Sequence, residues 1–204
     1  LVRDDMFTLK HLPPYQYQTL FVNMSSRTSS KSLQGIIESN VEKRVKGTYG
    51  PPVGKKLVVF IDDQNMPKVD TYGTQQPIAL LKLLVEKQGM YDRQELVWNN
   101  FKDINFVGAC GPPGGARAVM DPRYMSLQSS FNISFPSETS LIKIYSTILS
   151  THLEPFADIL KGVASKLINV TLRLYEHIVQ KMPPTPSKFH YLFNVRDLSR
   201  VFEG

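Results

Sequence analysis

Leu57-Val58-Val59-Phe60-Ile61-Asp62-Asp63 is a run of five apolar residues that ends in two adjacent carboxylates. An apolar run of this length predicts a strand that is buried on both faces, as in a parallel sheet covered by helices. The two acids then lie at the carboxyl end of the strand, where open α/β sheets bind their ligands. One acid at such a place can hold Mg²⁺ beside a nucleotide, and a second can orient a water molecule. A core strand followed by an acidic turn has the same pattern, and the residues alone leave both interpretations open.

The composition is typical of a globular protein, since 42% of the 204 residues are hydrophobic and 21% are charged. The net charge is +6, but the basic residues are scattered and the densest cluster, Lys43 to Lys46, is explained below as a helix end. We therefore expect no nucleic-acid partner. No apolar stretch approaches the ~20 residues of a membrane span, so we expect no membrane partner. Cys110, the single cysteine, excludes an internal disulfide and is expected to be a small buried hydrophobe.

The first residues, Leu1 to Asp5, do not form a signal peptide, and the chain does not begin with Met. We therefore expect an intracellular protein of which this chain is a part.

Strands and helices alternate in the first two thirds of the chain, which is the signature of a parallel sheet in an α/β domain. The sequence predicts a turn region over 48–56, a loop over 64–76, strands at 17–23, 57–62, 103–110 and 131–135, and helices at 32–46 and from Pro77 to Gly89. Ser30 is the expected N-cap of the first helix, whose last turn would hold the basic cluster.

The pattern becomes helical after Pro136, with apolar residues at helical spacing over 138–153 and 158–182. A last helix is predicted to start at Asn194, because Asp197 follows three residues later in a capping-box-like arrangement. We therefore predict an α/β domain over residues 1–136 and a small all-helical domain over residues 137–204.

A phosphate loop of the form G-x-x-x-x-G-K-[S/T] does not occur in the sequence. The segment Gly50 to Lys56 is the nearest match, but it has three residues between its glycines and a lysine where the hydroxyl should be. It also precedes a strand, whereas a phosphate loop follows one. The main cradle for a nucleotide's phosphates is therefore expected outside this chain.

Several motifs, in order along residues 17–204, resemble the AAA+ modules of dynein heavy chains. They are Lys43-Arg44, Tyr49-Gly50-Pro51-Pro52, residues 59–67 (VFIDDQNMP), 72–77 (YGTQQP), 91–93 (YDR), 111–117 (GPPGGAR), 121–124 (DPRY), 184–191 (PTPSKFHY) and 193–200 (FNVRDLSR). Each motif alone is weak, but together and in this order they are highly specific. The chain is most similar to the third module of an axonemal, inner-arm type heavy chain.

The resemblance implies an AAA+ P-loop-type parallel sheet with flanking helices, followed by a small helical lid. The first strand and the Walker A loop of that fold are not in this chain. The missing strand lies inside the sheet, so we expect an unpaired strand edge. The implied cofactors are ATP or ADP and Mg²⁺, at a regulatory or structural site. We expect this fragment alone not to hydrolyse ATP. The alternative is a structural spacer that binds no nucleotide.

The resemblance also implies a place in the cell and a set of partners. The implied process is microtubule-based movement of cilia and flagella, and the implied location is the cytoplasm, the cytoskeleton and the axoneme. The expected partners are the neighbouring AAA+ modules of the same heavy chain, the intermediate and light chains, and, indirectly, microtubules.

Three site residues follow from the resemblance in the α/β domain. Asp62 would be the Walker B acid that positions Mg²⁺, and Asp63 stands where a Glu usually polarises the attacking water. Asp is shorter by one methylene, so Asp63 as a catalytic base is expected to be slow or inactive. Gly111 is expected among the nucleotide-binding residues at the tip of the sensor-1 strand, where an Asn is common.

Arg196 is implied to be the sensor-2 arginine. It lies in the first turn of the helix predicted at Asn194, where the helix dipole disfavours a cation by about 0.3–1 kcal/mol. A phosphate nearby would reverse that preference. The alternatives are a solvated arginine or an ion pair with Asp197.

Two further arginines have alternative interpretations. Arg123 is a candidate trans-acting finger toward a neighbouring module, although Ser126 stands where many relatives carry a second arginine. Its alternative is a local pair with Asp121. Arg117 follows the glycines of the 111–117 motif and either points at phosphate or is solvated.

Overall fold

A computed structural model describes residues 8–45, 47–114, 117–156, 158–185, 187–188 and 190–203. The chain divides into two compact units, Leu1–Phe131 and Asn132–Gly204, whereas the sequence analysis placed the boundary between residues 136 and 137. Each unit has its own hydrophobic core.

The first unit is built on a parallel sheet of three strands in the order β1-β4-β7, formed by Tyr17–Asn23, Lys56–Asp62 and Ile104–Gly108. Strand β4 lies in the middle, and residues 57–61 are all buried because neighbours cover both edges and both faces. No strand among the described residues pairs with the other edge of β7. These three strands confirm the predicted ones, and the register aligns Ile61 with Val22 and Gly108.

Three helices belong to this unit: α1 (Ser30–Glu38), α2 (Gln76–Lys87) and the short α3 (Pro122–Met125). The N-cap of α1 is Ser29, one residue before the predicted Ser30, and it forms a capping box with Ser32. The apolar faces of α1 and α2 pack on the sheet, and their buried residues are Leu33, Ile37, Ile78, Leu81 and Leu84.

The helix predicted over 32–46 is wrong beyond Glu38. Residues 42–43 form a short strand instead, and Lys46 lies outside the described residues. Tertiary contacts override the local helical pattern here, because the guanidinium of Arg44 donates to Pro51 O at 2.6 and 3.2 Å and pairs with Asp103 at 2.6 Å. The basic cluster is therefore not a helix end.

A second, four-stranded sheet in this unit was not predicted from the sequence. It consists of β2 (Glu42–Lys43), β3 (Thr48–Gly50), β6 (Trp98–Phe101) and β5 (Gly89–Tyr91), in that spatial order. The predicted turn over 48–56 is thus wrong for its first three residues. Such strands are too short to show a period of two, and they form because tertiary pairing and contacts such as the Tyr49–Phe101 stack at 5.7 Å hold them.

Two further predictions near the sheet are wrong. Residues 131–135 form no strand, and Phe131 and Ile133 are 86% and 57% exposed, because a β-prone run needs a neighbour to pair with. Cys110 lies beyond the end of β7 and is exposed, so it is not a core residue.

The second unit contains three helices: α4 (Glu138–Leu153), α5 (Asp158–Lys181) and α6 (Val195–Glu203). Ser137 caps α4 by accepting a hydrogen bond from Ser140 N. The core of this unit is formed by Leu141, Tyr145, Ile168, Leu172 and Leu198. These elements confirm the three predicted helices. No helix in the described ranges is long and apolar enough to span a membrane.

Candidate functional site

Asp62 and Asp63 end β4 in a tight turn. Asp63 adopts a left-handed backbone conformation with φ of 53°, which Asp tolerates better than most residues. Its N–H donates to Asp62 Oδ1 at 2.9 Å. Asp62 therefore keeps one carboxylate oxygen engaged by the backbone, and it takes part in none of the ion pairs that the described residues form.

This arrangement fits a magnesium ligand. Mg²⁺ in nucleotide sites is held by one or two carboxylates together with phosphates and water molecules. The half-buried Asp62, held by one N–H and paired with no cation in the described part of the chain, offers one such ligand. No group of three or more His, Cys, Asp or Glu side chains that could hold a metal by itself occurs among the described residues.

The carboxylate of Asp63 is not free, because Arg117 Nη2 lies 2.9 Å from Asp63 Oδ1. Both side chains are about 40% exposed, and the pair is therefore worth at most about 1 kcal/mol. The backbone of Arg117 is held in place by two hydrogen bonds with Gly114, each 3.0 Å long. Gly115 and Ala116, also part of the predicted tight loop, lie outside the described residues.

Gly111 makes room for this arginine. A Cβ atom on Gly111 would lie 2.8 Å from Arg117 Nε and 3.0 Å from Arg117 Cζ. The carbonyl oxygen of Gly111 accepts a hydrogen bond from Asn65 Nδ2 at 2.7 Å, which ties the loop after β7 to the loop after β4. The structure therefore brings Asp62, Asp63 and Gly111 together at the carboxyl ends of the neighbouring strands β4 and β7.

A buried tyrosine supports the loop after the two acids. Tyr124 is fully buried, and its hydroxyl donates to Gln64 Oε1 at 3.0 Å and accepts from Gln128 Nε2 at 2.6 Å. Burial raises the pKa of Tyr124 to about 12. Gln64 is 2% exposed, and its N–H donates to Ala109 O, so its position is fixed from both sides.

Two amide side chains in the segment that follows the acids are buried. Asn65 and Gln75 are 2% and 6% exposed, and Gln75 Nε2 donates to Pro67 O at 2.7 Å. Asn65 Oδ1 and Gln75 Oε1 are buried without a hydrogen-bond partner. Such acceptors are uncommon in protein interiors and are expected at sites that carry strain or hold water.

Arg123 lies on α3 in the same unit. Asp121 accepts a hydrogen bond from the backbone N–H of Arg123 at 2.9 Å and thereby caps the helix. The alternative local ion pair does not occur among the ion pairs of the described residues, and the Arg123 side chain is exposed. Its role as a trans-acting finger stays a prediction.

Arg196 belongs to the helical unit. Its backbone N–H donates to Asn194 Oδ1 at 2.8 Å, and Asn194 N donates to Asp197 Oδ2 at 3.0 Å, which is the predicted capping arrangement. The side chain of Arg196 is exposed and forms no ion pair with Asp197 in the part of the chain that the structure describes. Its sensor-2 role stays a prediction.

A family model described as the P-loop containing dynein motor region matches residues 4–136, and one described as an AAA+ lid domain matches residues 167–204. The chain belongs to the dynein motor family. The parallel sheet with its flanking helices and the separate helical unit agree with this membership, so the predicted AAA+ fold class is confirmed.

Flagellar and axonemal dynein heavy chains are among the similar proteins. The chain is 58% identical over 199 residues to the dynein-1-alpha heavy chain of the flagellar inner arm I1 complex of Chlamydomonas reinhardtii. It is 57% identical over 197 residues to dynein axonemal heavy chain 10 of Homo sapiens and 42% identical over 196 residues to dynein axonemal heavy chain 2 of Mus musculus. Each match covers 96% of this chain but only 4% of the relative.

The two acids of this candidate site are recognisable in the sequence, but the contacts that hold them are not. Gln64 and Asn65 directly follow the acids, and this position was the available signal for their role. Tyr124 and Arg117 occur in the matched motifs, but only the structure shows that they contact Gln64 and Asp63.

Proposed function

We propose that this chain is part of an AAA+ module of an axonemal dynein heavy chain, in which it binds ATP or ADP with Mg²⁺ at a regulatory site of the motor ring. The observation that carries the proposal is Asp62, a half-buried carboxylate at the carboxyl end of the central strand with no cation partner among the described residues. Asp62 would ligate Mg²⁺, and Gly111 would lie beside the nucleotide.

A regulatory role is favoured over a main hydrolytic role because Asp63 is a poor candidate for a base. Its side chain is one methylene shorter than the Glu that usually stands at this position. A base that is misplaced contributes little to proton transfer. Nucleotide at this site would therefore bias how rigidly the module couples its neighbours.

The remaining roles rest on the similarity to axonemal heavy chains. The module is proposed to be the third of the ring, in the cytoskeleton of a cilium or flagellum. Arg196 would contact phosphate from the lid, and Arg123 would reach the nucleotide of a neighbouring module. The neighbouring modules would be direct partners, with intermediate and light chains in the same complex and microtubules contacted elsewhere in the heavy chain.

The rival function is a structural spacer that binds no nucleotide, and the ion pair of Asp63 is compatible with it. Hydrogen exchange measured by mass spectrometry on the purified parent heavy chain separates the two. With a magnesium nucleotide, we expect slower exchange in peptides that contain residues 57–66, and no such change in an Asp62→Asn variant. Glu203→Gln, an exposed acid at the end of α6, is the control. If exchange in these peptides of the wild-type heavy chain does not change when nucleotide is added, the structural-spacer function is supported instead.

The size of the native polypeptide tests membership of the ring. An antibody raised against this chain should detect a polypeptide far larger than 23.2 kDa that is enriched in axonemes. A band near 23.2 kDa in a soluble fraction would refute the proposed place in a motor ring.

A further inference from the structure

Arg117 is the charged group at this edge of the sheet to which no function has yet been given. Its guanidinium lies beside Gly111, and a Cβ there would be 2.8 to 3.1 Å from Arg117 Nε, Cζ and Cδ. The glycine therefore lets the arginine lie close to the loop after β7 without having to shift.

The anchoring of Arg117 is strong in the backbone and weak in the side chain. Two hydrogen bonds with Gly114 fix the backbone, and Ala118 N donates to Asn65 O at 2.9 Å. The guanidinium, in contrast, is 41% exposed, and one ion pair with the half-exposed Asp63 holds it. Such a pair is worth no more than about 1 kcal/mol. The guanidinium of Arg117 can therefore change its partner while the backbone of Arg117 stays in place.

We propose that Arg117 contacts the terminal phosphate of a bound nucleoside triphosphate and releases Asp63 when it does so, and this inference rests on the proposed nucleotide site. A guanidinium binds phosphate through charge-assisted, often bidentate hydrogen bonds, which are stronger than an exposed pair with one carboxylate oxygen. A nucleoside diphosphate lacks that phosphate, so Arg117 stays on Asp63. The site consequently distinguishes triphosphate from diphosphate through this arginine.

The consequence for Asp63 follows from the same geometry. While Arg117 is paired with it, one oxygen of the Asp63 carboxylate is engaged by a guanidinium 2.9 Å away. Transfer of the arginine to phosphate removes that cation. The carboxylate thus becomes available only when a triphosphate is present.

The test measures the affinities of this one site in the parent heavy chain. Hydrogen exchange in peptides covering residues 109–118 is followed against the concentration of ADP or of the non-hydrolysable analogue AMP-PNP, both with Mg²⁺. Arg117→Gln should weaken AMP-PNP binding about tenfold or more and change ADP binding less than twofold. Arg117→Lys should retain part of the preference because it keeps the charge.

Two further variants sharpen the result. Gly111→Ala should weaken AMP-PNP binding less than Arg117→Gln does, because the flexible end of Arg117 can shift away from the added methyl group. Arg173→Gln changes an exposed arginine of the helical unit and should leave both affinities unchanged.

Two negative results distinguish failure of the Arg117 contact from failure of the nucleotide site itself. If Arg117→Gln weakens both nucleotides equally, or neither, the contact to the terminal phosphate is refuted while the nucleotide site stands. If the wild-type peptides respond to neither nucleotide, this inference and the proposed function fall together.

Discussion

Gly108 offers a sharp test of the packing behind the site. It is the last residue of β7 and lies opposite Ile61 in β4. A Cβ atom on Gly108 would lie 1.1 Å from Gln64 Nε2 and 2.2 Å from Gln64 Cδ. Gly108→Ala must therefore displace the side chain of Gln64, which is 2% exposed and accepts the hydrogen bond of Tyr124.

Two costs add up in this variant. Forcing an extra methyl group into a packed site costs about 1–3 kcal/mol. Breaking the Tyr124–Gln64 hydrogen bond leaves buried polar groups without partners and costs about 1–3 kcal/mol more. We therefore expect Gly108→Ala to lower the free energy of unfolding by about 2–5 kcal/mol, a large part of the total stability of a domain. Strand propensity alone predicts the opposite sign, because alanine restricts the unfolded chain more than glycine does.

Urea unfolding of the chain, followed by the fluorescence of the single tryptophan, measures this difference. Trp98 lies in β6 and packs edge-on against Tyr91 at 4.9 Å, so its emission reports the first unit. Gly35→Ala is the matched control, because nothing lies within 4 Å of a Cβ there. It should stabilise α1 by roughly 1 kcal/mol.

A double-mutant cycle with Gln64→Ala checks the cause. Removing the glutamine side chain relieves the clash, so the double variant should be more stable than the sum of the two single changes predicts, by about 1–3 kcal/mol. If Gly108→Ala is as stable as the wild type, or if the two changes are additive, the packing described here is wrong.

Three other predictions follow from the same structure. The pKa of Tyr124 is raised from 10.0 to about 12 in the folded state, so the stability from its neutral form is complete below pH 10 and is lost as pH rises from 10 to 12. The loss is about 3 kcal/mol, and unfolding curves of Tyr124→Phe should not show it. Ile168 is 1% exposed in the helical core, and Ile168→Ala should lower the free energy of unfolding by about 2–5 kcal/mol. The helical circular dichroism signal should then be lost at a lower temperature than in the wild type. Val170→Ala, at an exposed position of the same helix, is the control. Cys110 is exposed and should react with iodoacetamide in the native protein at a rate near that in urea; protection of this thiol in the native state would contradict its placement.

The sequence predicts best where one local pattern decides the structure. Residues 57–61 are apolar without interruption, which is typical of a strand buried on both faces in a parallel sheet. The capping arrangement at Asn194 follows from the same kind of local rule, whereas the helix predicted to end at Gly89 ends at Gln88, which itself adopts the left-handed conformation. The second sheet could not be predicted in this way, because strands such as Glu42–Lys43 and Thr48–Gly50 exist only through pairing with residues distant in the sequence.

The candidate site also contains residues that a local sequence pattern predicts and residues that it does not. The acids Asp62 and Asp63 are visible in the sequence because they follow a recognisable strand. Arg117 is separated from Asp63 by 54 positions, and a solvated arginine would have an identical sequence pattern. The glycine at position 111 is the sequence feature that could have suggested that another side chain lies against the backbone there.

The choice between a nucleotide site and a spacer depends on what the Arg117–Asp63 pair is for. A spacer has no need of a cation beside the acid at this end of the strand. A pair that is half exposed adds little stability, yet the backbone of its arginine is anchored by two hydrogen bonds and its side chain lies against a glycine. Such positioning is expected for a group that must bind an anion, and this favours the nucleotide site.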